Sequence, residues 1–291
     1  MDKLAQLEKR RVRDSFDRAA ERYDDVAVLQ REVGHRIIER LELVRMEPVT
    51  ILDVGAGTGV FCSALSRRYK KARIIALDLS PRMLATARSR RGLFHRGWFN
   101  KQSFVCGDAE QLPLADHSVD LVFSNLTIQW CADLDRTFHE FRRVLKPGGL
   151  LMFSTLGPDT LKELRESWRA VDDDVHVHEF LDMHDVGDAL LRAGLADPVM
   201  DAERFTLTYP DANQLMRELK ILGAHNAATE RRHGLTGKAR LKKMAQAYER
   251  YRHEGLLPAS YEVVYGHAWV ATANNAVSIP VESLLSRKQQ L

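Results

Sequence analysis

Residues 52–59 read LDVGAGTG. Three glycines at alternate positions follow an acid, Asp53, at the end of an apolar run. The run, residues 49–54 (VTILDV), suits a short strand buried on both faces of a parallel sheet. A helix is expected directly after it, over residues 59–68. A strand that breaks into glycines and then a helix presents bare backbone at the carboxyl edge of an open sheet, where α/β folds bind ligands. Gly55, Gly57 and Gly59 permit positive φ and carry no Cβ, so a ligand can lie against the main chain. The spacing is G-x-G-x-G, not the G-x-G-x-x-G of a dinucleotide fingerprint. An anionic pyrophosphate would also be repelled by Asp53, two residues before the first glycine, whereas a cation would be attracted.

Outward from this loop the alternation continues. Residues 73–79 (RIIALDL), 103–106 (SFVC), 119–124 (VDLVFS) and 150–155 (LLMFST) are expected as strands. Ser80-Pro81 opens a helix with a hydroxyl cap and a proline at its first position. A helix over residues 134–145 is stopped by Lys146-Pro147-Gly148-Gly149. The rhythm implies a doubly wound, mostly parallel α/β sheet. Helices are expected over residues 159–171, 183–192, 212–224 and 238–252, and strands over 205–209 and 261–271. No Pro/Gly/Ser linker divides the chain, so residues 1–291 read as one domain with insertions. Residues 1–45 form an N-terminal helical lid, 46–156 the ligand-binding core, 157–272 a substrate-side half and 273–291 a frayed tail.

Two further acids sit where the sheet edge would place them. Asp78 ends the second strand, where a carboxylate accepts from both hydroxyls of a ribose. Asp108, in CGDAEQLP, follows the third strand. There it can accept a hydrogen bond from an adenine amine while the Ala109 amide donates to the ring. A bare loop with three spaced carboxylates implies an adenosine ligand that is cationic and lacks phosphates. S-adenosylmethionine fits that description.

The composition sets the outer limits. The 291 residues are 45% hydrophobic and 29% charged, enough for a sizeable core. Cys62, Cys106 and Cys131 show neither disulfide nor metal spacing, which suits a reducing compartment. No apolar signal core or membrane-length run is seen, so a cytoplasmic location is expected. The formal charge is only +3, yet from Arg231 to Arg252 Glu249 is the single acid among many Lys and Arg. Such a stretch suits an acidic partner or a solvated helix face.

LDVGAGTG, IIALDLS, GDAEQLPL, DLVFSNLTIQW and LKPGGLLMF, in this order, resemble the successive motifs of class I S-adenosylmethionine-dependent methyltransferases. The resemblance implies a Rossmann-like seven-stranded sheet whose last strand, here residues 261–271, is antiparallel. It also implies a helical cap over about residues 210–258. Carried onto this sequence, the cofactor would be held by Gln30, Asp53, Gly55, Ala56, Gly57, Gly59, Asp78, Leu79, Met83, Asp108, Ala109, Asn125, Gln129 and Trp130.

The segments outside that core narrow the class. SFDRAAERYDDVAVLQRE, FSTLGPDTLKELRESWRAVD, LMRELKILGAHN, GLTGK and YEVVYGHAW are similar to the malonyl-acyl-carrier-protein O-methyltransferases of biotin synthesis. The implied reaction carries a methyl group to the free carboxylate of a malonyl thioester. That carboxylate is ionised at neutral pH, so no general base and no metal are expected. Tyr23 is expected to close the pocket and donate to the carboxylate. Arg217 and Lys220, at i and i+3 of a helix, are candidates to hold its second oxygen. Malonyl acyl carrier protein is the implied partner, with malonyl coenzyme A beside it and with neither nucleic acid nor membrane. The basic residues Arg231, Arg232, Lys238, Arg240, Lys242 and Lys243 are the candidate docking face. The face of Arg67, Arg68, Lys70 and Lys71 is an alternative. Residues 90–101 (RRGLFHRGWFNK) are expected to cover the sheet edge. His176, His178 and His184 lie close in sequence without completing a metal pattern, and His267 is expected to pack on the last strand. The resemblance leaves open a related methyltransferase acting on another small acid or a quinone precursor, or a non-methylating assembly or hydroxylation factor.

Overall fold

A computed structural model of the protein describes residues 9–90, 101–223 and 237–272. Three helices come first: α1 (Lys9–Ala19), α2 (Tyr23–Val26) and α3 (Val28–Arg40). The core follows as β1 (Thr50–Val54), α4 (Val60–Arg68), β2 (Arg73–Asp78), α5 (Pro81–Ser89), β3 (Gln102–Cys106), β4 (Val119–Ser124), α6 (Leu134–Val144) and β5 (Leu145–Leu156). The second half adds α7 (Lys162–Arg169), α8 (Met183–Arg192), β6 (Ala196–Tyr209), α9 (Ala212–Ile221), α10 (Lys238–Tyr248) and β7 (Leu257–Trp269).

The seven strands among the described residues belong to one sheet, ordered β3-β2-β1-β4-β5-β7-β6. β7 is antiparallel to both β5 and β6, as the resemblance implies, and the pairs among β1 to β5 are parallel. Adjacent strand residues point to opposite faces. Ile51 therefore packs with Val33, Ile37 and Leu65 under α3 and α4. Its neighbour Leu52 packs with Phe138, Phe141 and Leu190 under α6 and α8. Each such fully buried side chain contributes about 1.5–3 kcal/mol. The order reverses at β1, which has β2 on one side and β4 on the other, so the ends of β1 and β4 open into a crevice.

Local signals explain the helix starts. Ser80 accepts from the Met83 amide at 3.1 Å, Asp133 from Arg136 at 2.9 Å and Asp211 from Gln214 at 2.9 Å. The Lys146-Pro147-Gly148-Gly149 stretch does stop α6, but the chain continues extended, so β5 starts at Leu145 rather than Leu150. Gly148, at φ +76, absorbs the irregularity, and its amide donates to Val270 at 2.8 Å. β6 is far longer than residues 205–209. Its first half, which carries Asp197, Pro198 and Asp201, belongs to an edge strand, and pairing with β7 overrides weak local propensity. α7 is shorter than residues 159–171, because Leu161 takes a left-handed φ of +54 and donates to Ser260 at 2.6 Å. α9 stops at Ile221, α10 gives way to a 3-10 turn over Glu249–Tyr251, and β7 begins at Leu257 rather than residue 261.

Candidate active site

The glycine loop folds back on the second strand. The Gly55 and Ala56 amides both donate to the Leu77 carbonyl, at 2.8 and 3.0 Å. All three glycines have positive φ, +71, +53 and +78, but for different reasons. A Cβ on Gly55 would stand 2.0 Å from Thr127 Oγ1, and one on Gly59 would stand 2.8 Å from the Ala87 Cβ. Those two are bare because protein packs against them. A Cβ on Gly57 would meet nothing nearer than the Gly55 carbonyl, 4.0 Å away. Gly57 alone is bare toward open space, and that space is a slot also lined by Gly55, Asp78, Leu79, Met83, Asp108 and Ala109.

Asp78 receives the Gly57 amide on Oδ2 and the Ser80 amide on Oδ1, each at 2.8 Å. Burial outweighs these two bonds and pushes its carboxyl up to about 6. One lone pair on each oxygen remains for a ligand diol. Asp108 also lines the slot; its Oδ1 accepts the Glu110 amide at 2.9 Å, and its Oδ2 is bound by Lys9. Lys9 reaches Glu110 too, at 2.7 Å. Nothing in the sequence singled out Lys9 from the basic residues around it. Asp53 does not line the slot. It shares the sheet face of Ile51, beneath α4, where Cys62 Sγ donates to its Oδ2 at 3.2 Å and burial raises its carboxyl to about 7. Ala56 and Gly59 shape the loop from behind. Lys9 is the only cation among the described residues lining the slot, and two carboxylates already claim it. The residues therefore fit an adenosine without phosphates: acceptors for a diol, an acid-amide pair for a base edge, and a bare Gly57.

Beside the slot lies a larger chamber of about 450 Å³, walled largely by apolar side chains such as Leu164, Trp168, Phe180, Leu207 and Met216. Phe16, Tyr23, Leu126 and Trp130 line both spaces and mark where they meet. Phe16 and Trp130 meet edge to face with centroids 5.4 Å apart. Packing around the Tyr23 hydroxyl, and then the charge of Asp78, raises its pKa, so the phenol stays a donor. Leu126 holds a left-handed φ of +48, fixed by bonds from its amide to Ser154 Oγ (3.0 Å) and from Gln129 Nε2 to its carbonyl (2.7 Å). Such strain gathers at functional sites, yet a leucine after a strand carries no sequence signal.

Asn125 lines the slot and donates to the Gln30 carbonyl at 2.9 Å, while accepting from Ser154 Oγ at 3.0 Å. Gln30 and Gln129 line the chamber rather than the slot, and Gln30 Oε1 is buried without a partner. Arg217 and Lys220 line the chamber as well, but both side chains are exposed, and neither is at the junction with the slot. The histidines separate. His176 stacks on Trp168 at 3.7 Å and bonds Asp172 at 2.7 Å. His178 lines the chamber, and exposed His184 bonds Asp182. His267 lies on β7. Asp172, Asp174 and His176 bring ligand-type atoms within 4.8 Å of one another, and the Arg240 guanidinium stands 3.4 and 3.6 Å from the two carboxylates. Arg231, Arg232, most of GLTGK and most of residues 90–101 lie outside the described residues.

The sheet order, the glycine loop and the slot beside Asp78 define a class I methyltransferase. A methyltransferase domain family matches residues 52–153. The fold is similar to the YcgJ protein from Bacillus subtilis (TM-score 0.57, 16% identity, 84% of this chain and all of that one). It is also similar to phosphoethanolamine N-methyltransferase 2 of Haemonchus contortus (TM-score 0.56, 17% identity, 90% of this chain and 60% of that one). In sequence the chain is 54% identical to the malonyl-[acyl-carrier protein] O-methyltransferase of Methylovorus sp. (strain MP688), over 93% of this chain and 92% of that protein. It is 51% identical to the enzyme of the same name from Gallionella capsiferriformans (strain ES-2), over 90% and 91%. The chain belongs to the malonyl-[acyl-carrier protein] O-methyltransferase family.

Proposed function

We propose that this protein methylates the free carboxylate of a malonyl thioester carried on acyl carrier protein, with S-adenosylmethionine as donor, opening the route to the pimeloyl part of biotin. The observation that carries the reading is the meeting of slot and chamber at Tyr23 and Trp130. The cofactor supplies an electrophilic methyl on a sulfonium. Asp78 would accept its ribose hydroxyls, Asp108 and Ala109 would frame its adenine, and Gly57 would lie against it. Leu79 and Met83 would wall the slot; Asn125, Gln30 and Gln129 would face the methionine end. Asp53, behind the loop, would act through its charge.

The nucleophile is already an anion, so the residues need only orient it and keep water away. The Tyr23 hydroxyl donates to one carboxylate oxygen, while Phe16, Leu126 and Trp130 exclude water. Arg217 and Lys220, exposed at the chamber, attract the malonyl carboxylate and the arm that bears it. Leu241 of α10 lines the chamber, while its neighbours Lys242 and Lys243 are exposed. Lys242 and Lys243 of the basic stretch thus stand beside the chamber wall, which suits docking of an acidic carrier.

The test is mass spectrometry of malonyl acyl carrier protein incubated with S-adenosylmethionine, with malonyl coenzyme A and free malonate in parallel. Gain of one methyl on the carrier-bound group, far above that on free malonate, is expected. No methyl gain and no S-adenosylhomocysteine over many hours would favour a non-methylating factor.

A further inference from the structure

Tyr23 stands on α2, a helix of four residues with no buried residue and no side-chain cap. A helix so short has no stability of its own. What holds it is the next residue. Asp24 Oδ1 accepts from Thr58 Oγ1 at 2.8 Å, Asp24 Oδ2 pairs with Arg90 just past α5, and the Asp24 carbonyl accepts from Arg31 at 2.6 Å. Thr58 is 3% exposed and sits between Gly57 and Gly59 in the glycine loop. On its other side α2 packs against α9, which carries Arg217 and Lys220, and Val26 lines the chamber. Asp24 is therefore the polar tie between the loop that faces the slot and the helix that delivers Tyr23.

We propose that Asp24 is a positioning residue: through Thr58 it registers the state of the glycine loop and sets Tyr23 at the transfer point, so that a filled slot assembles the site for the malonyl carboxylate. The tie is specific chemistry. Thr58 must supply a hydroxyl, and Asp24 must supply an acceptor on one oxygen and a charge for Arg90 on the other. The proposal rests on the assignment of Tyr23 made above.

Thr58→Val removes the hydroxyl at constant shape, Thr58→Ser keeps it, and Asp24→Asn keeps an acceptor but loses the charge. Thr58→Val is expected to lower kcat about tenfold while changing S-adenosylhomocysteine affinity by less than about threefold, and Thr58→Ser to stay within about twofold of wild type. In a Tyr23→Phe background Thr58→Val should cost little more, because both changes break the same unit. Equal kcat for the Val and Ser variants, or the full loss persisting in the Tyr23→Phe background, would overturn the proposal. Asp24→Ala, on a partly exposed side chain, removes the acceptor and provides the same comparison should Thr58→Val not fold. Hydrogen exchange keeps the two readings apart. S-adenosylhomocysteine should protect the amides of residues 23–26 in wild type and not in Thr58→Val, whatever acyl group is methylated. Equal protection in both would sink the tie, and protection without any methyl transfer to malonyl carrier would sink only the functional reading.

Discussion

The Gly57 amide donates to Asp78 Oδ2 at 2.8 Å, so the glycine loop and the acid at the end of β2 hold each other in place. The middle glycine would lie against the ligand, and the carboxylate has one free lone pair on each oxygen. Replacing Asp78 by alanine removes the loop's anchor and both ribose acceptors at once. Asp78→Ala should weaken S-adenosylhomocysteine binding by about 1–3 kcal/mol, the scale of a buried hydrogen-bonding group left unpaired. Titration calorimetry measures this directly, and unchanged affinity would refute the ribose assignment.

The same residue makes binding depend on pH. Burial holds the Asp78 carboxyl at about 6 in the free protein. A bound diol donates to the carboxylate and so favours its charged form, which lowers the pKa in the complex. Protons and ligand then compete. Affinity should be level above about pH 6 and fall toward tenfold per unit below it, down to the pKa of the complex. A flat profile from pH 7.5 to 5 in calorimetry would show that the carboxylate does not touch the ligand.

The glycines separate folding from binding. Gly57→Ala adds a methyl that meets nothing nearer than the Gly55 carbonyl, 4.0 Å away, on a residue that lines the slot. At φ +53 it costs about 1 kcal/mol of strain. The variant should fold and yet lose most of its cofactor affinity. Gly55→Ala drives a methyl to 2.0 Å from Thr127 and should lower the melting temperature far more. Thermal melts and calorimetry on the pair test this; equal loss of stability would contradict the division of roles.

Much of this was legible because β1 and β2 are short apolar runs closed by glycine or by acid and proline, a pattern set by burial on both faces. The loop and Asp78 could be placed from the ends of those runs. The first half of β6 could not, since Asp197, Pro198 and Asp201 are poor strand formers, and the strand is set by its pairing with β7 rather than by propensity. Lys9 and Leu126 are invisible for a related reason. Each is held by a contact far away in the chain, Lys9 with Asp108 and Leu126 with Ser154. Asp53 was legible as an acid and not as to its direction, because strand parity turns it under α4.

Docking of the carrier leaves a kinetic signature. Lys242 and Lys243 are exposed beside Leu241. Exposed charges act chiefly on encounter rates and are screened by salt. Reversing both to glutamate should slow association with malonyl carrier protein and flatten the salt dependence of the on-rate, while activity on malonyl coenzyme A changes less. Stopped-flow association at two ionic strengths decides it, and wild-type behaviour at both places docking on another face.

Asp53 yields the last expectation, which concerns the fold without ligand. The side chain is 2% exposed, and burial raises its pKa to about 7 from an ordinary 3.8. The folded state therefore binds a proton that the unfolded chain has released between those two values. By linkage, stability falls as pH rises through that window, and the penalty is complete above about pH 7. Asn keeps the shape, can still accept from Cys62, and removes the charge. Asp53→Asn should thus be more stable than wild type at pH 8, by about 3 kcal/mol more than at pH 5, given about 1.4 kcal/mol per pKa unit over the roughly two units from pH 5 to the folded value. Urea unfolding of both proteins without S-adenosylhomocysteine at the two pH values gives the difference directly. If the gap is the same at both, the buried acid is not what titrates.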